Sequence, residues 1–398
     1  MKVLVCNVGS TSLKFKLFHL PNEDYTVEAK IERVGSQRDG IYSYLNIPKG
    51  ISIKKEKQSV PNYTVGIQMF LRDLLDNEKG AIQDLEEIEA IGFKTVLAKD
   101  YYGVHELSQE VLRAMEEYLV IAPAHNGPYL EAIRQFKELL PDTLLVGAFE
   151  TDFHTTIPLE RKLYAIPYEW YEEYGIQKMG YHGASHRYIS DQVKAMAGKH
   201  YRLISCHLGG SCSLCAILDG QSVDTSFGLS LQTGIPHSNR VGELDSYIIP
   251  FLLDKGLSME EILEGLEKQG GLLGISGVSG DIRFIQTAAE EGNPRAKLAI
   301  NVFVNSIIRH IGSYYAELGG LDYLVFTGGI GENAYVIREK ICDQLSHMGI
   351  HLDPRKNRET KAGGRISRED SPVQVYIIPT NEELIVAKKT YDYFRRNS

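Results

Sequence analysis

Residues 3–18 read V-L-V-C-N-V-G-S-T-S-L-K-F-K-L-F, which is two apolar runs joined by small and polar residues. The first run predicts a buried strand, and the second alternates with the period of two that a half-buried strand shows. Residues 7–12 between them predict a polar turn. This stretch therefore predicts a β-hairpin at the start of the fold.

The second half of the chain repeats this opening. Residues 203–209 read L-I-S-C-H-L-G, 200 residues after V-L-V-C-N-V-G, and they too lead through glycines to a second strand near 214–218. Internal repeats are strong organisational signals, although this one is short. It favours two duplicated α/β domains, each opening with a hairpin.

Strands alternate with helices elsewhere, as in α/β proteins. A looser stretch over 20–62 has strand-like pieces, and residues 258–261 form a capping box before a helix. The helical patterns cover about 64–77, 106–120, 128–139 and 294–318, and a final helix starts at 381–384. Further buried strands are predicted at 144–149, 324–327 and 373–378.

The composition is that of a globular protein. The chain has 398 residues, 43% of them hydrophobic and 24% charged, which suggests two domains. A net charge of -9 argues against nucleic acid or an anionic membrane as the main partner. No apolar run approaches the ~20 residues of a membrane span, and no leader is recognised, so a cytoplasmic protein is expected.

Five cysteines are too few and odd in number for a disulfide framework. Cys212 and Cys215 form a lone C-x-x-C in a segment that reads as a strand. A metal or redox role for this pair is therefore only a minor alternative.

Three glycine turns each follow a predicted strand, at 7–14, 207–211 and 328–333. Glycine permits close backbone approach, and N–H groups at such a turn favour an anion. The first turn has an ordinary hairpin as its alternative. Together they predict a polyphosphate site, although no Walker A loop occurs.

Histidines and carboxylates add candidates for chemistry. Residues 180–186 read G-Y-H-G-A-S-H, in which no Glu follows the first His as a zincin requires. His182, between two glycines, is the best functional candidate, whereas the others read as structural. Glu150 and Glu382 each lie where a strand meets a polar segment and offer oxygen ligands for Mg²⁺, with helix capping as the alternative for Glu382.

These motifs, in this order, resemble the acetate kinase family, which is part of the group of acetate and sugar kinases, Hsp70 and actin. Residues 7–14 and 180–186 resemble the two family signatures. The others are 122–126 (A-P-A-H-N), 224–228 (D-T-S-F-G), 279–283 (S-G-D-I-R), 328–333 (G-G-I-G-E-N) and 381–384 (N-E-E-L).

The resemblance implies two RNase H-like domains with an active-site cleft between them. The expected domains are 1–150, joined by a C-terminal helix at about 383–398, and 151–382. The implied activity is ATP-dependent phosphorylation of a small carboxylic acid, acetate first of all, to an acyl phosphate. Mg²⁺ or Mn²⁺, ATP as co-substrate and a homodimer are implied as well.

Site roles follow from the same resemblance. The implied catalytic residues are Arg240, His182, His125, Glu150, Lys94 and Lys14, and the metal residues are Asn7 and Glu382. The implied nucleotide residues are Ser10, Ser12, Lys14, His207, Gly209, Gly210, Asp281, Ile282, Arg283, Gly329, Ile330, Gly331 and Asn333. The implied substrate pocket is Lys94, Val96, Ala124, Tyr181 and Leu231.

The chain also departs from the family pattern. The family's H-R-V-V-H-G-G reads F-K-T-V-L-A-K at 93–99, and its F-D-T reads F-E-T at 149–151. An arginine is thus Lys94, which lacks a bidentate fork, and an aspartate is Glu150. In the acyl wall a leucine is Ala124, a phenylalanine Tyr181 and a proline Leu231. M-G-T-R-x-G-D reads H-S-N-R-V-G-E at 237–243.

Three interpretations stay open at this point. The chain is an acetate kinase that tolerates these exchanges, a kinase for a different or larger acid such as propionate, or a paralogue that binds nucleotide without catalysis. The retained motif residues argue against the third, and the changed acyl wall favours the second. The sequence does not settle the acid or the physiological direction.

Overall fold

The computed structural model describes residues 1–9, 11–361 and 363–397, without the side chain of Ala124. The chain forms two compact units. Met1–Asp152 and Asn381–Ser398 make up the first unit, and Phe153–Thr380 the second. Residues 151–152 and 381–382 thus belong to the first unit, two residues beyond each predicted domain boundary.

Strands and helices alternate, as predicted. The strands are β1 (Lys2–Gly9), β2 (Ser12–His19), β3 (Asp24–Glu32), β4 (Ser36–Asn46), β5 (Ile51–Val60), β6 (Ala90–Phe93), β7 (Val104–Glu106), β8 (Leu144–Ala148), β9 (Arg202–Leu208), β10 (Cys212–Leu218), β11 (Gln221–Thr225), β12 (Tyr323–Thr327), β13 (Gly364–Arg365) and β14 (Gln374–Ile377). The helices are α1 (Tyr63–Leu74), α2 (Gln109–Glu117), α3 (Pro123–Leu139), α4 (Leu159–Lys162), α5 (Tyr168–Tyr174), α6 (Gly183–Ala197), α7 (Ile248–Asp254), α8 (Met259–Glu267), α9 (Gly271–Ser276), α10 (Ile282–Glu290), α11 (Pro294–Glu317), α12 (Gly328–Asn333), α13 (Tyr335–Gln344), α14 (Pro354–Glu359) and α15 (Glu382–Asn397).

The first unit is built on one sheet, whose strand order over the described residues is β5-β4-β3-β2-β1-β6-β8-β7. β1 pairs with β2 as an antiparallel hairpin, and β1, β6 and β8 run parallel. One face is covered by α15, with Val386 packed near Val3 and Val5. Gly92 permits this close approach, because a Cβ there would lie 2.2 Å from Thr390 Oγ1.

The second unit repeats the arrangement with the strand order β11-β10-β9-β12-β14-β13 over its described residues. β9 and β10 form the hairpin, and β9, β12 and β14 run parallel. The long α11 buries Phe303 and Ile307 in the core against one face of this sheet. The hairpin-plus-parallel order thus occurs twice, which confirms the predicted duplication and the α/β class.

Local signals succeed and fail for identifiable reasons. The predicted capping box is confirmed, since Ser258 Oγ accepts from the Glu261 N–H at 3.2 Å and the Glu261 carboxylate accepts from the Ser258 N–H at 2.7 Å. The turn predicted at 7–12 is wrong in its start, because β1 continues to Gly9. Residues 328–333, expected as a turn before a helix, are themselves the helix α12.

Within the described part of the chain, no helix combines the length and apolar character that crossing a membrane demands.

Candidate active site

Three candidate residues of the first unit lie at the carboxyl ends of parallel strands. Asn7 lies near the carboxyl end of β1, Lys94 directly follows β6, and Glu150 follows β8. The Lys94 N–H donates to the Cys6 carbonyl at 3.3 Å, which joins the strand ends. Because the carboxyl ends of parallel strands share one edge of a sheet, the fold brings these residues together.

Lys94 is held by two carboxylates. Its Nζ lies 2.6 Å from Glu382 Oε2 and 3.9 Å from Glu150 Oε1, and the three side chains are only 14%, 13% and 5% exposed. Burial lowers the pKa of the Lys94 ammonium, but the charges of Glu150 and Glu382 outweigh it, so the net pKa lies above the ordinary value. We call these three residues the Lys94 cluster.

Asn7 is anchored by Tyr129, which the sequence motifs did not include, and by Glu383. The Tyr129 hydroxyl, from α3, donates to Asn7 Oδ1 at 3.2 Å and accepts from the Val8 N–H at 3.0 Å. Asn7 Nδ2 donates to Glu383 Oε1 at 3.4 Å. The one sequence signal for a role of Tyr129 is its spacing from His125. The two residues are four apart in α3, so they lie on the same face of the helix, one turn from each other.

The remaining candidates of the first unit are placed as follows. Lys14 is exposed on β2, directly opposite Asn7 in the hairpin, and Ser12 pairs with Gly9. His125 lies in the first turn of α3, and Val96 is buried after β6. Two predictions, Ser10 and the side chain of Ala124, lie outside the described residues.

In the second unit the histidines form a hydrogen-bonded chain with serines. His182 takes the left-handed conformation, φ 57°, at the start of α6, and its Nδ1 lies 2.8 Å from Ser213 Oγ. His186 Nε2 bonds the same hydroxyl at 2.8 Å. Burial above all, with the nearby His154 and His207, holds the pKa of His186 well below its usual range. His186 is therefore a neutral, structural histidine, as predicted.

His207 stacks on the candidate histidine. The ring centroids of His182 and His207 lie 4.1 Å apart at an interplanar angle of 30°, and Ser185 Oγ lies 2.8 Å from His207 Nδ1. A non-glycine residue at positive φ costs about 1–3 kcal/mol and tends to occur at functional sites. The fold thus holds His182 in a strained position with a fixed ring.

Arg240 is largely enclosed and bonds Ser211 Oγ through its guanidinium. Burial lowers its pKa to about 10, so it stays charged at neutral pH. The nearby His237 accepts from the Cys212 N–H at 3.0 Å, and burial, followed by the Arg240 charge, lowers its pKa to about 3. His237 is therefore neutral and structural, and Arg240 supplies the positive charge of residues 237–243.

The acyl-wall candidates of this unit, Tyr181 and Leu231, are both buried. The Tyr181 hydroxyl donates to the Leu229 carbonyl, and its ring meets Phe227 edge-on with centroids 5.4 Å apart. The sequence left open whether this hydroxyl bonds the backbone, and the structure shows that it does. Because its hydroxyl is bonded to the backbone, Tyr181 contributes mainly its aromatic ring to the candidate acyl wall.

A cavity of about 660 Å³ in the second unit collects most of the nucleotide candidates. Sites for small ligands typically measure about 300–1,000 Å³. The predicted residues among its lining are Gly209, Gly210, Asp281, Ile282, Arg283, Gly329, Ile330 and Asn333. Sequence reasoning missed Ser238, Asn239, Gly280, Gln286 and Ala334. His207 and Gly331 are not among the described lining residues, and Ser12 and Lys14 belong to the first unit.

One wall of this cavity is an ion pair. Asp281 caps α10 by accepting from the Arg283 N–H at 2.9 Å, and it also accepts from Arg283 Nε at 3.0 Å. The Arg283 side chain is 83% exposed, so it extends along the cavity rim. Gly329, which also lines the cavity, leaves space open, since a Cβ there would meet no atom within 4 Å.

The candidate metal ligands Asn7 and Glu382 offer oxygen atoms, which suit a hard cation such as Mg²⁺. Among the described residues, no group of three or more His, Cys, Asp or Glu side chains is arranged to hold a metal ion. Mg²⁺ commonly takes one or two carboxylates and completes its shell with water and substrate phosphates. The oxygens of Asn7 and Glu382 fit that mode.

Comparisons with known proteins match this chain over nearly its whole length. The model of the acetokinase family matches residues 2–388. This chain belongs to the acetokinase family. An acetate kinase from Treponema denticola is 42% identical over 395 residues, covering 98% of this chain and 99% of that protein.

Solved structures of the family share the fold. Acetate kinase from Porphyromonas gingivalis superposes with a TM-score of 0.87 at 36% identity, covering 99% of both chains. A propionate kinase from Francisella tularensis gives a TM-score of 0.89 at 34% identity, covering 98% of this chain and 99% of that one. The predicted two-domain fold of the acetokinase family is thereby confirmed, and its members include kinases for two different acids.

Proposed function

We propose that this chain is an ATP-dependent kinase that phosphorylates acetate to acetyl phosphate. The observation that carries the proposal is the cavity lined by Gly209, Gly210, Asp281, Arg283 and Gly329, which combines glycine turns with a charged rim. The names of the family members support the acid. Asp281, Arg283 and Asn333 would surround adenosine, and the glycines would approach the phosphates.

The reaction is an in-line displacement at phosphorus. An acetate oxygen forms a bond to the γ-phosphorus, the bond from that phosphorus to the β–γ bridging oxygen breaks, and ADP leaves. Acetate is ionised at pH 7, so no general base is required. Catalysis then depends on positioning and on charge compensation.

Side chains of this chain supply that compensation. Arg240 brings a charge with fixed geometry, Lys14 a mobile one, and His182 a ring held in place by Ser213. Lys94 keeps Glu382 and Glu150 in position and lowers the repulsion that they exert on an anionic substrate. Mg²⁺ or Mn²⁺, bound by Asn7 and Glu382, would supply further neutralisation of the phosphates.

A second candidate is a kinase for propionate or another three- or four-carbon acid. The exchange of a leucine for Ala124 favours it, because three missing carbons at about 0.8 kcal/mol per CH₂ leave space for a longer acid. The third interpretation, binding of nucleotide without catalysis, is opposed by the retention of Arg240, His182 and Glu382. A location in the cytoplasm and a homodimer remain expectations from the family.

The test is release of ADP, coupled to NADH oxidation, with acetate, propionate, butyrate, and hydroxy and amino acids as acceptors. We expect ADP release that depends on acetate, with hydroxylamine trapping the acyl phosphate. A purified, folded protein that binds ATP but releases no ADP with any acid would refute the proposed function. A preference for propionate over acetate in kcat/KM would replace it by the second candidate.

A further inference from the structure

Tyr129 contacts the candidate metal ligand Asn7, although the sequence predicted no role for it. It is 1% exposed, and its hydroxyl lies between the Val8 N–H at 3.0 Å and Asn7 Oδ1 at 3.2 Å. A phenol has an ordinary pKa of about 10, so the Tyr129 hydroxyl carries its proton at neutral pH. Its one proton is therefore always present.

The direction of the two hydrogen bonds follows from the proton count. The Val8 amide is a donor only, so the phenol accepts there and gives its single proton to Asn7 Oδ1. This contact and the bond from Asn7 Nδ2 to Glu383 fix the plane of the Asn7 carboxamide from both ends. A carboxamide oxygen has two lone pairs, so one remains for a water or a cation.

We propose that Tyr129 is a positioning residue, which orients the Asn7 oxygen toward the divalent cation of the bound nucleotide. The proposal rests on the proposed function, in which Asn7 contributes to the metal site. Tyr129 does not itself touch substrate. Its effect passes through Asn7, whose carboxamide would otherwise rotate about its side-chain bonds.

The buried location adds a second consequence. Lys94 lies beside Asn7 at the strand ends, since its N–H donates to the Cys6 carbonyl at 3.3 Å. A neutral phenol at this place lets Asn7 sit beside the Lys94 cluster without adding a charge to it. Residues 7, 94, 129 and 150 thus lie together at one edge of the candidate site, in or just after β1, β6, β8 and α3.

The experiment compares Tyr129→Phe with a matched control, Tyr44→Phe. Tyr44 is also 1% exposed in the first unit, and its hydroxyl donates to the Lys79 carbonyl at 3.1 Å. Each change deletes one buried hydroxyl, so both should lower Tm by a similar amount. Only Tyr129→Phe should raise the Mg²⁺ concentration for half-maximal activity, by about five- to tenfold, the effect expected of one such hydrogen bond. KM for acetate should stay unchanged.

A binding readout accompanies the kinetics. Electron paramagnetic resonance of Mn²⁺ titrated with protein and ADP should show weaker binding of Mn·ADP by Tyr129→Phe and none of this weakening by Tyr44→Phe. In an Asn7→Ala background, Tyr129→Phe should add nothing further, because its effect passes through Asn7. An unchanged Mg²⁺ requirement and Mn·ADP affinity in Tyr129→Phe would overturn the proposal and leave a purely structural tyrosine.

Two controls keep the outcome decisive. If Tyr129→Phe does not fold, Asn7→Leu tests the same contact from its other side, and normal Mn·ADP affinity in Asn7→Leu overturns the proposal. A wild-type protein without acid-dependent ADP release refutes the proposed function instead. Active wild-type protein with an unaffected Tyr129→Phe variant refutes only the positioning role.

Discussion

Replacing Lys94 by Met should destabilise the first unit in a way that depends on pH. Methionine keeps much of the volume but leaves Glu382 and Glu150, at 13% and 5% exposure, without their common counter-charge. At an effective dielectric constant of about 20, the contacts at 2.6 and 3.9 Å correspond to roughly 6 and 4 kcal/mol of gross attraction. Desolvation offsets part of it, and losing one partner of a buried pair typically costs about 3–5 kcal/mol.

Protonation sets an upper limit on this loss. In the variant, burial and mutual repulsion raise the folded-state pKa of the carboxyls above the unfolded value, so stability falls as pH rises. Neutralising one Glu with an ordinary pKa of about 4.3 costs about 3.7 kcal/mol at pH 7 and about 1 kcal/mol at pH 5. The destabilisation should therefore shrink from about 3–4 kcal/mol at pH 7 to about 1 kcal/mol at pH 5.

Wild-type protein behaves differently in this range. The pKa of Lys94 is raised in the folded state, so its contribution is complete below about 10.4, the unfolded value, and declines only above it. The difference between variant and wild type thus isolates the two carboxylates.

Differential scanning calorimetry at pH 7 and pH 5 measures the effect. A loss of 3–4 kcal/mol corresponds to a fall in Tm on the order of 10 °C for a unit of this size. The control is Lys99→Met, whose partner Glu117 lies at 3.0 Å with both side chains exposed to solvent, so that this change should lower Tm far less than Lys94→Met does. Equal Tm losses of Lys94→Met at both pH values, or a loss no larger than that of the control, would refute the reasoning.

Further predictions address the other parts of the site. Arg240→Ala should lose transition-state stabilisation of about 3 kcal/mol, seen as a hundredfold or greater fall in kcat with KM for ATP nearly unchanged; wild-type kcat would refute its role. Gly329→Leu should fill open space in the cavity and raise KM for ATP at least tenfold with unchanged Tm, whereas Gly312→Ala, in α11 with no atom near its Cβ, should leave KM unchanged. Ala124→Leu should shift kcat/KM from propionate toward acetate by up to about 30-fold; an unchanged ratio of the two acids would refute the redrawn acyl wall.

Local signals explain why much of the fold could be predicted. The two hairpins have period-two patterns and glycines within a few residues of one another, so each is visible in a short window. The N-cap of α11 is also local, with Asn293 accepting from the Arg295 N–H at 3.0 Å just before Pro294. Local motifs of this kind were enough to predict the fold class and most of the residues that line the cavity of the second unit.

Long-range contacts account for what was missed. Tyr129 meets Asn7 across 122 residues of chain, and Lys94 meets Glu382 across 288. No periodicity reports such a pair. The start of α3 at Pro123 was missed for a different reason, because Gly127 and Pro128 interrupt the helical pattern that the structure nevertheless continues.

Two exchanges from the family pattern, Lys94 and Glu150, meet each other in the Lys94 cluster. Lysine is shorter than arginine and offers a point charge instead of a bidentate fork, whereas Glu150 is longer than an aspartate by one methylene. Their atoms now meet at 3.9 Å, with Glu382 at 2.6 Å on the same ammonium. A lysine alone would leave an aspartate short of contact, and a glutamate alone would crowd an arginine. We infer that the two exchanges compensate each other, since the cluster keeps one positive charge between two carboxylates at the end of the parallel strands.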